Sequence, residues 1–572
     1  MKMKNRKMEK LFYPSIITSI ILLSILILCI FLHAFVIRIV YPIDLTPVVR
    51  ISNGPVQGKF IKYEKVKVAH FLGIPFAKPP IGPLRFQLPV KPDNWTSVKQ
   101  VVNYGSPCLQ RSQHITVDRT NENCLFLNVY VTESTLKSSN STFLRPVLFW
   151  IYGGALTFGF GNDYYSGIPI VPLHEVVLVT HNYRLNAFGF MHFGDKETRI
   201  PPNIGLKDQL LALQWVKENI DKFGGDPDQV TIFGESAGAM SVSAHILSPL
   251  SRGLFKRAIL QSGTIMFPVE DPDYYIENGF TLLGRTSCAS STDLLNCLQS
   301  LPASTIMNAQ SDGLLTFRWF YGDDFLPYSP SEAFSKGMFD NSLDILLGVE
   351  QNEFAMFMGL LSATQFNPKI DVTLNYSQAV DYLRLIFKEE AIGYFTELYF
   401  NSSIDLSSAY LLKQLIQAYS DTIIVCPTYM FGVEYWSKGG QETGKVYGYY
   451  HTQKPIPSYN TMCDDSPWTG ICHGSDLTYV FGHPLVEPGY PQKDIDLSRE
   501  MMKIWTHFAE FGYMPRVNEK EWKPLNEDLS AMVLNIDNLG EVERERIAFC
   551  VQQWDELVQN NILNFTYIMS AV

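Results

Sequence analysis

The chain has 572 residues and a net charge of −11; 46% of its residues are hydrophobic and 18% charged. That composition supports a large buried core and excludes a disordered chain. With no basic stripe beyond the extreme N-terminus, the acidic balance also excludes a nucleic-acid partner.

The first residues include Lys2, Lys4, Arg6, Lys7 and Lys10, and from Ile16 to Val36 the chain is uncharged and rich in Ile and Leu. As a helix this run would reach about 31 Å, enough to cross a hydrocarbon core of ~30 Å. A cleavable signal has a shorter apolar region, about 7–15 residues, closed by a small-x-small site. The residues that follow, His33 to Val40, offer none. The reading is an uncleaved signal anchor: a cytoplasmic tail at 1–15, a transmembrane segment at 16–37, a linker at 38–47 and one folded domain over 48–572. The basic residues before the span outnumber Arg38 and Arg50 after it, which places the domain in the lumen or outside the cell. Cleavage of the segment would instead make the protein secreted.

Nine cysteines occur. Cys29 falls inside the apolar run, and the even number left suits an oxidising compartment. Asn94, Asn140, Asn375, Asn401 and Asn564 stand in N-glycosylation sequons, none in the cytoplasmic tail.

Further along, Val147 to Tyr152 is an apolar run that opens into Gly153-Gly154, the pattern of a buried strand entering a loop. Val176 to Thr180 reads as a second strand. Leu206 to Phe223 has helical periodicity and stops at Gly224-Gly225-Asp226-Pro227. Val230 to Phe233 is a strand running into Gly234, and Ala239 to Leu247 continues as a helix. Ile259 to Gly263 and Ile345 to Gly348 read as later strands. Buried strands alternating with helices predict an α/β fold with a mostly parallel central sheet flanked by helices.

Between strand and helix lies Gly234-Glu235-Ser236-Ala237-Gly238. Strand, tight turn and small-residue helix form the setting in which a serine is held exposed on a strained backbone, with glycines where strand and helix cross closely. A serine needs a base to take its proton and a carboxylate to orient that base. Downstream of Ser236 the histidines are His245, His451, His473, His483 and His507. His473 stands in a glycine-bracketed loop, which suits a base reaching across to another segment; His245, in the helix after Ser236, reads as structural.

These stretches, with Gly73-Ile74-Pro75-Phe76-Ala77, Glu122-Asn123-Cys124-Leu125-Phe126-Leu127-Asn128-Val129, Asn182-Tyr183-Arg184-Leu185 and Gly205-Leu206-Lys207-Asp208-Gln209, make the chain resemble the type-B carboxylesterase/cholinesterase family over residues 48–556. The resemblance implies an α/β-hydrolase fold and a serine hydrolase that cleaves small carboxylic esters through an acyl-enzyme, with no metal or cofactor. It implies a triad of Ser236, Glu353 and His473. Glu350 competes with Glu353 for the acid, and Asn352 and Phe354 stand where the family usually has aspartate and glycine. It implies an oxyanion hole from the N–H groups of Gly154, Ala155 and Ala237. It implies disulfides Cys108–Cys124, Cys288–Cys297 and Cys426–Cys550; Cys463 and Cys472 are left over and are expected to pair just before His473, with two free thiols as the alternative.

The resemblance stops short of the choline site. The loop Leu109 to Thr116 has Arg111 but no tryptophan to hold a quaternary ammonium group by cation–π contact. Trp319 and Phe320 lie where the family places acyl-pocket aromatics. A second reading is an inactive ectodomain of the same fold that serves adhesion or binding. Such relatives typically lose a triad member and are anchored at the C-terminus.

Overall fold

All five runs read as strands form the middle of one sheet. The computed structural model of the chain describes residues 43–554 and 563, apart from 112–116, 140–142, 269–271, 311–314, 401–405, 441–443, 459–460 and 465. The strands are β1 (Val49–Ile51), β2 (Gly54–Gln57), β3 (Lys59–Tyr63), β4 (Val66–Pro75), β5 (Lys99–Gln100), β6 (Phe126–Thr132) and β7 (Arg145–Ile151) in the first part of the chain. Then come β8 (Val177–His181), β9 (Gly225–Glu235), β10 (Arg257–Gln261), β11 (Asp344–Glu350), β12 (Val446–His451), β13 (Ala531–Leu534) and β14 (Val542–Glu543).

Eleven of them make one sheet in the order β14-β13-β12-β11-β10-β9-β7-β8-β6-β4-β3. From β13 to β8 every neighbouring pair is parallel. The two margins are antiparallel. The parallel strands are covered by helices on both faces, so β8, β10 and β12 are buried along their whole length and are apolar or aromatic through their middles, with polar residues at their carboxyl ends. A small sheet, β1-β2-β5, lies apart from the large one. This is the α/β architecture expected.

All four expected disulfides form: Cys108–Cys124, Cys288–Cys297, Cys426–Cys550 and Cys463–Cys472. The expected linker is in part structured. Thr46 donates its N–H to the Gly58 carbonyl, Phe60 donates to Asp44, and Leu45 bridges to Lys59, so residues 44–46 lie along β3. The tail at 1–15 and the span at 16–37 lie outside the described residues. Among the described residues no helix is long and apolar enough to cross a membrane. Of the sequons, Asn94 and Asn375 are exposed, while Asn140, Asn401 and Asn564 lie outside the described residues.

The turn after β8 is fixed by charge. Arg184 donates Nε and Nη2 to the two oxygens of Asp208, at 2.8 and 2.6 Å, and its backbone N–H to the same carboxylate at 3.0 Å. Both side chains are buried, and Asp208 lies in the helix Ile204–Asn219 that packs back toward the sheet. Truncating one partner of a buried pair strands the other charge without solvent, at about 3–5 kcal/mol. Asp208→Ala is therefore expected to lose that much stability in urea unfolding; a loss below 1 kcal/mol would show the pair to be solvated.

Candidate active site

Neighbouring parallel strands end in polar residues on one edge. Gln261 pairs in register with Glu235 on one side and Gly348 on the other, and Glu350 pairs with His451. The carboxyl edge of a parallel sheet is where α/β folds hold their ligands.

Ser236 sits at this edge, between β9 and the helix Ala237–Leu247, with φ 57° and ψ −127°. A non-glycine residue held there stores on the order of 1–3 kcal/mol of strain. The crossing of strand and helix enforces it. A Cβ on Gly238 would lie 2.0 Å from the Ile151 carbonyl oxygen, and one on Gly234 would lie 2.5 Å from the Gly238 carbonyl carbon. The Ser236 N–H donates to Gln261 at 2.9 Å, which ties the turn to β10.

The loop after β7 lies against this turn, since a Cβ on Gly153 would come within 3.0 Å of the Ser236 Cβ. Gly154, Ala155 and Leu156 all have positive φ, at 101°, 54° and 61°. For alanine and leucine that conformation costs roughly 1–2 kcal/mol each. The peptide joining them is held by Arg318, a buried guanidinium that donates Nη1 to the Ala155 carbonyl at 2.5 Å. Gly154 and Ala155 are thus beside Ser236, and Ala237 opens the helix that follows it.

His473 reaches the same edge from the loop before the helix Ser475–Val480. Its Nδ1 lies 2.6 Å from Glu353 Oε2, and Glu353 Oε1 accepts the Glu350 N–H at 2.8 Å. Asn352 docks the loop: its N–H donates to the Ile471 carbonyl at 2.9 Å and its Oδ1 accepts the Ile471 N–H at 3.1 Å. Gly470 is required beside it, because a Cβ there would lie 2.2 Å from Asn352 Oδ1. Phe354 has φ −83° and ψ −4°, a conformation open to any residue, and its ring stacks on Tyr419 at 4.7 Å. Neither departure from the family pattern disturbs Glu353.

The other ring nitrogen of His473 faces Glu235. Nε2 lies 3.0 Å from Glu235 Oε1, and among the described residues no hydrogen bond joins His473 to Ser236 Oγ. The Glu235 carboxylate fills the gap between the two loops, 2.9 Å from where a Cβ of Gly153 would sit and 3.3 Å from one of Gly474. Burial alone would push the His473 imidazole down, but Glu235 and Glu353 outweigh it and raise it to about 9. Burial dominates at Glu235, which is pushed up to about 7 even though His473 opposes the shift.

The other candidate histidines and Glu350 have partners of their own. His245 is buried and satisfied by Ser251 Oγ and Gln209 Oε1, so it is structural. Glu350 and His451, the alternatives for acid and base, contact each other at 2.5 Å. His483 pairs with Glu487, and His507 packs on Phe511 and Tyr513. Trp319 donates Nε1 to Tyr321 Oη at 2.8 Å, and that hydroxyl donates to the Ile265 carbonyl. Phe320 packs on His192 and is clamped through its backbone by Asn203. Sequence reasoning missed the Glu235 contact, the docking role of Asn352 and the reach of Arg318 to Ala155. Only the glycines at 153 and 474, which leave room for a side chain, hint at the first.

Comparison with known proteins gives the family of the chain. The profile described as "Carboxylesterase family" matches residues 45–552. "Carboxylesterase 1E" of Mus musculus is 32% identical over 521 residues, covering 83% of this chain and 89% of that protein. "Pyrethroid hydrolase Ces2e" of Rattus norvegicus is 30% identical, covering 86% of each. "Fatty acyl-CoA hydrolase precursor, medium chain" of Anas platyrhynchos is 32% identical, covering 82% and 84%.

The tight crossing at the turn makes a stability test. Gly238→Ala forces a Cβ into the Ile151 carbonyl and is expected to cost about 1–3 kcal/mol, the usual penalty of overpacking. An unchanged urea midpoint would mean that strand and helix can part there freely.

Proposed function

The chain belongs to the carboxylesterase family and is a carboxylic-ester hydrolase; from that premise we propose that it works through Ser236, Glu353 and His473. The observation that carries this reading is the 2.6 Å contact of His473 Nδ1 with the buried Glu353, on a loop facing the strained turn that presents Ser236. His473 Nε2 takes the hydroxyl proton as Ser236 Oγ attacks the ester carbonyl, and Glu353 holds the ring and offsets its charge. Nε2 must first exchange Glu235 for Ser236 Oγ. Loss of the imidazolium proton favours that exchange by removing the attraction to Glu235. The N–H groups of Gly154, Ala155 and Ala237 hold the oxyanion, each donor contributing about 2.7–4 kcal/mol. His473 then protonates the departing alcohol, and water activated by the same ring releases the acid. We place the acyl group against Trp319 and Phe320.

Turnover of an ester panel tests this reading. The panel runs from short to long acyl chains and includes a pyrethroid and a medium-chain acyl-CoA thioester, after the names of two relatives. Ser236→Ala is expected to abolish turnover and covalent labelling by an organophosphate; labelling that persists in the variant would sink the assignment. Because the base must be neutral and the flanking carboxylates favour its charged form, kcat/KM is expected to rise with pH along a limb above the ordinary imidazole value of 6.5. Removing one negative charge in Glu235→Gln should move that limb to lower pH, and a limb that stays or rises would refute the electrostatic account.

We also propose residues 16–37 as a membrane anchor with residues 1–15 in the cytoplasm and the catalytic domain in the lumen or outside the cell. The four disulfides support such a compartment. Alkaline extraction of membranes is expected to leave the chain in the pellet. A mature N-terminus beyond residue 37 would show cleavage and secretion instead.

A further inference from the structure

Glu350 and His451 are fully buried and end neighbouring strands in register, yet among the described residues no hydrogen bond or ion pair joins either to Ser236 or His473. Glu350 makes three contacts that meet under the site. Its Oε2 lies 2.5 Å from His451 Nδ1, and its Oε1 accepts the Asp476 N–H at 3.0 Å. Its own N–H donates to Glu353 Oε1 at 2.8 Å. Asp476, three residues after His473, carries the network onward: its Oδ2 accepts from Tyr449 Oη at 2.7 Å and from Gln261 Nε2 at 2.9 Å. The Gln261 carbonyl in turn accepts the Ser236 N–H. One side chain therefore braces the backbone that follows the proposed base, while its residue braces the proposed acid, and both connect to the turn of the nucleophile.

We propose that Glu350, capped by His451, is a positioning residue for ester hydrolysis that holds Glu353 and the 473–476 segment in register as a hydrogen-bonding but uncharged side chain. The inference rests on the assignment of Ser236, Glu353 and His473 above. Lack of charge follows from the surroundings. The titratable groups facing the pair are Asp476, Glu353, Tyr449 and Tyr450, with Tyr479 against the His451 ring. No lysine or arginine is within ion-pair reach of Glu350 among the described residues. Burial, with Asp476 and Glu353 adding to it, holds the Glu350 carboxyl well above the usual carboxylate range, and burial holds His451 down to about 3. The short contact is then a carboxylic acid donating from Oε2 to a neutral imidazole Nδ1. An ionised Glu350 would set a further anion beside Glu353 and raise the proton affinity of His473 again.

The test compares Glu350→Gln, which keeps a donor for His451 and an acceptor for Asp476, with Glu350→Met, which keeps the volume and loses both. A 4-nitrophenyl ester reports kcat, KM and the pH profile, and an organophosphate reports the reactivity of Ser236. Glu350→Met is expected to lower kcat and the labelling rate together by about tenfold or more, with KM within about twofold. Glu350→Gln is expected to restore kcat to within about threefold and leave the limb of the pH profile in place. A Gln variant whose limb moves to lower pH would show Glu350 to be ionised and overturn the proposal, as would a Met variant with wild-type kcat. If Glu350→Met does not fold, His451→Phe keeps a ring beside Tyr479 while removing the cap. A loss confined to kcat there supports the proposal, and unchanged kcat overturns it. Wild-type protein that neither turns over nor labels would overturn the triad assignment together with this inference. Wild-type activity lost in Ser236→Ala but untouched in the Glu350 and His451 variants overturns this inference alone.

Discussion

One buried imidazole held between carboxylates organises this site. His473 meets Glu353 on one nitrogen and Glu235 on the other, with Asp476 close enough to add its field. Buried charges persist only when paired and hydrogen-bonded, and removing one member strands the rest. The loops carrying these groups are accordingly fixed by many independent bonds. Asn352 docks the loop before His473, Gln261 ties Asp476 to the sheet, and Arg318 pins the peptide after Ala155. The strained backbone at Ser236, Ala155 and Leu156 survives because these bonds over-determine it.

The parallel register supplies the common origin for those bonds. Glu235, Gln261, Glu350 and His451 lie at the carboxyl ends of neighbouring strands, Glu235 level with Gln261 and Glu350 level with His451 two residues further on, so no loop has to deliver them. Loops then add what must approach from above: the glycine-rich turn after β7, Glu353 after β11 and His473. A chain built this way can vary its loops, and so its substrates, while the polar row beneath stays in place.

Much of this was legible in the sequence because it depends on local pattern. The β-branched run before Gly234 and the small residues after Ser236 announce strand, turn and helix, and the structure shows why both glycines are needed. Residues 44–46 carry no strand signal in the sequence, because an isolated pairing with β3 leaves no periodicity. Glu350 and Glu353 could not be told apart by type or burial. What separates them is the β11 strand end, which turns Glu350 down toward His451 and leaves Glu353 to face His473. The contact of Glu235 with His473 was illegible for a similar reason, since it depends on two loops separated by more than two hundred residues closing over one carboxylate.

Charge balance explains why the cluster can hold so many acids. Glu235, Glu350, Glu353 and Asp476 are buried around His473, and burial raises the proton affinities of Glu235, Glu350 and Asp476 alike. Glu353 has His473 and a backbone N–H. Asp476 has a tyrosine and an amide on one oxygen only, and burial raises its proton affinity. Glu350 has an imidazole that burial keeps neutral, and burial with Asp476 and Glu353 beside it holds its carboxyl well above the usual carboxylate range. Four ionised carboxylates around a single imidazolium would leave a net charge of about −3 in a medium that solvates it poorly, so protons stay on the groups with the weakest cationic support. The proposed base, His473, then titrates against a background that its neighbours set by holding or losing protons. This makes the proton inventory of the cluster, as much as the 2.6 Å bond to Glu353, the determinant of when His473 is free to act.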